Sequence, residues 1–189
     1  MCLISRELSI APEAVSDLIE LEELDLPDNY LEELPTSVNK LKNLKMLTSE
    51  VNQLRELPQA IAELSNLTVL TVSNNQLSVL PSNIKHLKNL RALELSYNQL
   101  TTLPDEIGER MKLAWLNERM ETGDYLSKYN NQSTTLPDDI GELKELKMLL
   151  VAGNPVTSEE MRKVVNIQNI SSHTCETGSA FFLGIVFNI

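Results

Sequence analysis

The chain predicts an α/β solenoid, with a curved parallel sheet on the concave side of a stacked array and short helical turns outside. Three observations carry that prediction. Prolines recur at Pro12, Pro35, Pro58, Pro81, Pro104 and Pro137, at spacings of 23, 23, 23, 23 and 33 residues. Leucines keep the same register around them, as in Leu21, Leu24, Leu26, Leu31 and Leu34, and again in Leu90, Leu93, Leu95, Leu100 and Leu103. One asparagine per unit follows the second leucine pair, at Asn29, Asn52, Asn75, Asn98, Asn131 and Asn154. A fixed period of this length marks a stacked-repeat architecture, in which each unit leaves its apolar face for its neighbours to bury.

Residues 1–20 read as a degenerate N-terminal repeat. Met1, Leu3, Leu8, Pro12, Val15 and Leu18 hold the register, while Arg6 stands for the asparagine and Ala11 for a leucine. Terminal repeats are expected to be atypical. Residues 21–155 form the array proper. Within each unit the x-L-x-L-x segment alternates, so its leucines enter the core and the intervening side chains line the open face of a strand. The asparagine comes where the chain turns inward. Its amide offers donors and an acceptor to neighbouring turns, which makes Asn29, Asn52, Asn75, Asn98, Asn131 and Asn154 a structural ladder. Each proline opens the return segment, where a fixed φ suits a tight non-strand path. The pairs Val38/Leu41, Ile61/Leu64, Ile84/Leu87 and Ile140/Leu143 then set apolar side chains at i and i+3, as a short outer helical turn requires.

Several positions depart from the pattern. Ser49 stands where Leu26, Val72 and Leu95 supply an apolar strand residue, and a buried hydroxyl there needs a partner. Arg110 stands where Leu41, Leu64 and Leu87 stand, with Met111 beside it to take the apolar role. The 33-residue spacing holds a ten-residue insertion near 117–130, read as a looped-out excursion between Leu116 and Asn131. Residues 156–170 predict a C-terminal capping helix: Thr157 or Ser158 is the N-cap, acids precede bases, and Met161, Val164 and Val165 share a face. Residues 171–189 are a tail. Its apolar stretch from Ala180 is far short of the ~20 residues of a spanning helix, and reads as an added strand, a docked tail or an artefact of the gene model.

Together the motif L-x-x-L-x-L-x-x-N-x-L and the segment L-P-x-x-I-x-x-L resemble leucine-rich-repeat proteins of the 23-residue type, from residue 1 to about residue 165. Intracellular Ras-group scaffolds and Ras-suppressor-like proteins share this repeat, as do some bacterial leucine-rich-repeat proteins. The resemblance implies a non-enzymatic scaffold in intracellular signalling. Two other readings stay open: a microbial effector or surface protein that binds a host protein, and a regulatory array cut from a larger enzyme.

Charge and composition narrow the partner. The net charge is −11, and residues 1–35 hold ten acids against the single base Arg6. Nucleic-acid binders need basic surfaces, so the expected partner is a protein, one with a basic surface. Only Cys2 and Cys175 are present, and the opening Met-Cys-Leu-Ile-Ser-Arg lacks the pattern of a signal peptide. These favour a reduced, cytoplasmic setting and a monomer without a membrane span. Triplets such as Asn66-Leu67-Thr68 match the glycosylation sequon, but they arise by chance in an asparagine-rich repeat.

The binding face follows from the alternation. Third positions of successive units are Glu23, Met46, Val69, Ala92, Trp115 and Met148; fifth positions include Asp25, Thr48, Thr71 and Glu94. Seventh and eighth positions add Glu50, Val51, Ser73, Asn74, Ser96 and Tyr97. The candidate binding residues are Glu23, Asp25, Met46, Thr48, Val69, Thr71, Glu94, Tyr97, Trp115 and Met148, with Trp115 as the central anchor. No catalytic set emerges. His86 and His173 have no patterned acid or cysteine partner, no phosphate loop is present, and neither a cofactor nor a metal is implied. Asp105, Glu106, Asp138 and Asp139 read as solvated charges on an outer edge.

Overall fold

The computed structural model describes residues 1–4, 7–105, 107, 115–117, 131–132, 135–142, 148–150, 154, 157–165, 170–175 and 182–187. Six three-residue strands repeat along the array: β1 (Glu23–Asp25), β2 (Met46–Thr48), β3 (Val69–Thr71), β4 (Ala92–Glu94), β5 (Trp115–Asn117) and β6 (Met148–Leu150). They pair in parallel in sequence order, each residue opposite its counterpart in the next unit, so Leu24 faces Leu47, Leu47 faces Leu70 and Leu70 faces Leu93. The pairing passes through the insertion unchanged: β5 meets β4 with Trp115 opposite Ala92 and meets β6 with Trp115 opposite Met148. Residues 118–130, like Arg110 and Met111, lie outside the described residues.

Residues 1–3 run beside β1. Cys2 bridges to Asp25 in parallel, 23 residues on, with Leu3 N–H donating to Asp25 O (2.8 Å) and Asp25 N–H to Met1 O (2.8 Å). Ala11, smaller than the leucine of other units, is buried there.

The outer side is built of 3₁₀ turns, at Glu13–Asp17, Thr36–Lys40, Gln59–Glu63, Ser82–His86 and Asp138–Glu142. Each is preceded by a proline whose φ, −59° to −63° for the first four, launches the turn. The proline carbonyl accepts from the amide three residues on, as in Pro35 O to Val38 N (3.1 Å) and Pro58 O to Ile61 N (3.0 Å). A proline donates no backbone hydrogen bond but accepts one as well as any residue, which is why it fits here. Val38, Leu41, Ile61, Leu64, Ile84 and Leu87 point inward from these turns and meet the strand leucines in one continuous core. Each such leucine contributes roughly 2 kcal/mol by burial.

Four residues at 23-residue intervals, Asp28, Val51, Asn74 and Tyr97, have left-handed backbone with φ of 53° to 58°. Each stands just before a ladder asparagine and bends the chain inward. Asp and Asn tolerate that region; a β-branched valine adopts it only under constraint.

The C-terminal part departs from the repeat. Helix α1 spans Ser158–Val165, and residue 170, expected to close the helix, instead opens a strand. Strands β7 (Ile170–Cys175) and β8 (Phe182–Phe187) form an antiparallel hairpin, and β8 pairs antiparallel with β6. The tail therefore extends the sheet, in the order β1-β2-β3-β4-β5-β6-β8-β7. The aromatic and β-branched side chains of Phe-Leu-Gly-Ile-Val-Phe suit that role.

Candidate protein-binding face

The face is only as regular as the turns that hold its strands, and those turns are held by asparagine amides. Asn75 shows the full pattern. Its Oδ1 accepts from Leu54 N–H of the preceding unit (2.9 Å), and its Nδ2 lies within hydrogen-bond distance of Ser49 O (2.8 Å), Val72 O (3.1 Å) and Ser73 O (3.1 Å). Asn29, Asn52, Asn98 and Asn131 are likewise buried, and their Oδ1 atoms accept from Leu8, Leu31, Leu77 and Leu100 N–H at 3.0 to 3.1 Å. Asn154 is half-buried. At Ser49 the pattern adapts. This fully buried side chain offers its Oγ to Asn52 Nδ2 (3.2 Å), where other units use the backbone carbonyl of the same position.

A second set of asparagines, to which the sequence assigns no ladder role, lies at the other end of the strands. Asn43, Asn66 and Asn89 donate through Nδ2 to the carbonyls of Ile19 (3.3 Å), Lys42 (2.8 Å) and Ser65 (2.8 Å), each in the preceding unit. Their signal was available, since each immediately precedes a core leucine at the common period.

On the open face of the sheet, Met46, Val69 and Ala92 form one column of half-buried side chains, flanked by Asp25, Thr48, Thr71 and Glu94 in the next; Glu23 is exposed. Thr48 Oγ1 donates to Asp25 Oδ1 (2.8 Å), while Thr71 Oγ1 has no partner among the described residues. Tyr97 is half-buried at its left-handed turn. Trp115 and Met148 occupy the matching backbone positions of β5 and β6, and their side chains lie outside the described residues. Two residues expected on this face are instead interior: Ser73 and Ser96 are buried, because the left-handed residue that follows each one curls the strand end toward the core.

Charge is sorted between the surfaces. Away from the open face, acids pair with a cation one unit on: Asp17 with Lys40 (3.3 Å), Glu22 with Lys45 (2.7 Å) and Glu32 with Arg55 (3.4 Å). Glu63 bonds Asn39 and Lys42, and those hydrogen bonds hold its carboxyl below the ordinary range. At the helical end, Glu160 Oε2 accepts from Leu136 N–H (2.7 Å) and Lys163 Nζ donates to Leu136 O (2.8 Å), so α1 caps both backbone groups of one residue. Lys163 also meets Asp138 and Glu160 at 2.8 Å, lowering both carboxyl pKa values and raising its own through those hydrogen bonds. Among the described residues, no group of three or more His, Cys, Asp or Glu is placed to hold a metal ion, and no helix is long and apolar enough to cross a membrane.

The leucine rich repeat family model matches residues 19–77, 51–100 and 65–117, jointly more than half of the chain. Among solved structures, a leucine-rich-repeat protein of Leptospira interrogans is 29% identical with a TM-score of 0.60, covering 92% of this chain and 54% of its own. A plant ice-binding protein is 31% identical with a TM-score of 0.56, over 69% of this chain and 41% of its own. An internalin of Listeria monocytogenes, 23% identical with a TM-score of 0.70, covers 84% of this chain and 42% of its own, and speaks for the fold alone. The chain thus spans about half or less of the length of these proteins. A comparison with curated proteins found no match. Leucine-rich repeats in general serve as protein-interaction modules, offering an extended surface rather than an enclosed pocket. With its repeats matched from residue 19 to residue 117 and one register carried from β1 through β6, the chain belongs to the leucine-rich-repeat family.

Proposed function

We propose that the open face of the sheet binds a protein partner and that the chain acts as a non-enzymatic scaffold in a cytoplasmic signalling assembly. The observation that carries the binding reading is the paired columns Met46, Val69, Ala92 and Thr48, Thr71, Glu94, half-exposed and evenly set on a rigid sheet. Apolar contacts bordered by polar groups are the anatomy of a protein interface. Trp115, opposite Ala92 in the register, adds the residue type that most often anchors one. The signalling role rests on the L-P-x-x-I-x-x-L repeat.

The test is capture of partners from the native cell by wild-type protein and by Trp115→Ala, Glu94→Ala and Thr71→Arg, with His86→Ala on the outer side as control. The expected result is a partner set held by wild type and control and reduced about tenfold by each face variant. Equal capture by all variants overturns the assignment of the face. A second reading, a microbial protein that binds a host protein, is favoured by the likeness to the Leptospira protein. A captured partner from a host rather than from the same cell decides for it.

A further inference from the structure

We propose that the depression bounded by Glu7, Asp28, Tyr30 and Val51 receives an arginine or lysine side chain of the partner protein. This rests on the protein-binding reading above and adds the chemistry of one anchor. The depression lies where the chain leaves β1 and β2, beside Asn29, is open to solvent and has a volume of about 320 Å³. Its walls combine two carboxylates, a phenol ring that is 54% exposed and an aliphatic side chain that is 48% exposed. A guanidinium suits all three: its N–H groups donate to the carboxylates, its plane stacks on the ring, and its methylene stem lies along the valine.

The walls are braced from within. Tyr30 N–H donates to Leu8 O (2.8 Å), Leu8 N–H to Asn29 Oδ1 (3.1 Å) and Val51 N–H to Ser73 O (3.0 Å). The depression is therefore formed before a ligand arrives, which lowers the ordering cost of binding.

Charge sorting selects the sign of the ligand. Asp17, Glu22 and Glu32 each have a lysine or arginine one unit on, whereas neither Glu7 nor Asp28 has a side-chain partner among the described residues. Among the described residues, no basic side chain lines the depression. The adjoining face keeps the same preference: Glu23, Asp25 and Glu50 stand there without an ion pair among the described residues. A separate observation points the same way. Thr71 Oγ1, at the half-buried column of the open face, has no hydrogen-bond partner among the described residues. That hydroxyl oxygen can accept from a donor of a bound basic segment.

The test is fluorescence anisotropy with labelled octapeptides of four Arg-Ser units, four Lys-Ser units and four Glu-Ser units. The expected result is saturable binding of the arginine peptide, weaker binding of the lysine peptide and none of the glutamate peptide. Glu7→Gln/Asp28→Asn and Tyr30→Ala should each weaken the arginine peptide about tenfold, Tyr30→Phe should retain it, and the charge-matched control Glu56→Gln/Asp105→Asn should change it less than about twofold. Equal losses in the two double variants would reduce the effect to diffuse attraction and overturn the site, as would the absence of saturable binding to the wild type. The two proposals fail separately. If the Trp115, Glu94 and Thr71 variants lose their partner while Glu7→Gln/Asp28→Asn keeps it, the binding face stands and this anchor falls.

Discussion

An amide side chain offers two donor and two acceptor directions, and in Asn75 they tie its own turn at Val72 and Ser73 to Leu54 and Ser49 of the preceding unit. Alanine in its place leaves a buried N–H and several carbonyls with no partner, so Asn75→Ala should cost about 3 kcal/mol in urea unfolding. A loss below about 1 kcal/mol would mean that water takes over those bonds. Aspartate is no substitute, because it keeps the acceptor and loses both donors. These inner asparagines were legible in the sequence because they are buried at a fixed period among leucines. Asn43, Asn66 and Asn89 keep the same period, but each follows a polar, exposed residue (Lys42, Ser65 and Lys88) and so reads as solvated. The burial of Ser73 and Ser96 escaped for a different reason: alternation places them on the open face, and only the left-handed φ of Asn74 and Tyr97 turns them inward.

Short elements such as three-residue strands and five-residue 3₁₀ turns have little stability of their own and depend on what caps them. Helix α1 is an instance, docked through Glu160 and Lys163 on the backbone of Leu136. Glu160 is held below its ordinary value of 4.5 by hydrogen bonds from Lys163 and Leu136, and Asp138 below 3.8 by Lys163. A depressed carboxyl stabilises the folded state above its unfolded value and loses that contribution as pH falls through the folded value. Hydrogen exchange of Ser158–Val165, corrected for intrinsic rates, should therefore show protection declining as the pH drops below 4.5. In Glu160→Gln the protection should start lower and the acid-dependent step should shrink. An unchanged step would remove Glu160 from the docking. The position of this helix was readable from its caps and charge order. The hairpin of β7 and β8 was not, because nothing periodic marks it and its pairing depends on the free edge of β6.

Taken whole, the molecule is an acidic solenoid with its charge crowded at one end: residues 1–35 hold ten acids and one base of a net −11. Cross-unit ion pairs such as Asp17–Lys40 and Glu22–Lys45 are exposed and stabilise little. Repulsion among the uncompensated acids should dominate, so raising NaCl from about 20 to about 300 mM should raise Tm by about 3 °C. A fall in Tm would show that the exposed pairs outweigh the repulsion. The in-register parallel pairing of β1 to β6 has a further consequence for any strand-like segment lying along the array. Neighbouring units are about 4.8 Å apart, while side chains on one side of an extended peptide recur about every 6.7 Å. The two spacings act as a vernier: they drift apart at once and come back into step only after roughly four units, near 20 Å. Such a ligand is gripped at a few separated points, with slack between them. What it must carry is two or three anchors at the right interval, and the sequence in between is free to vary.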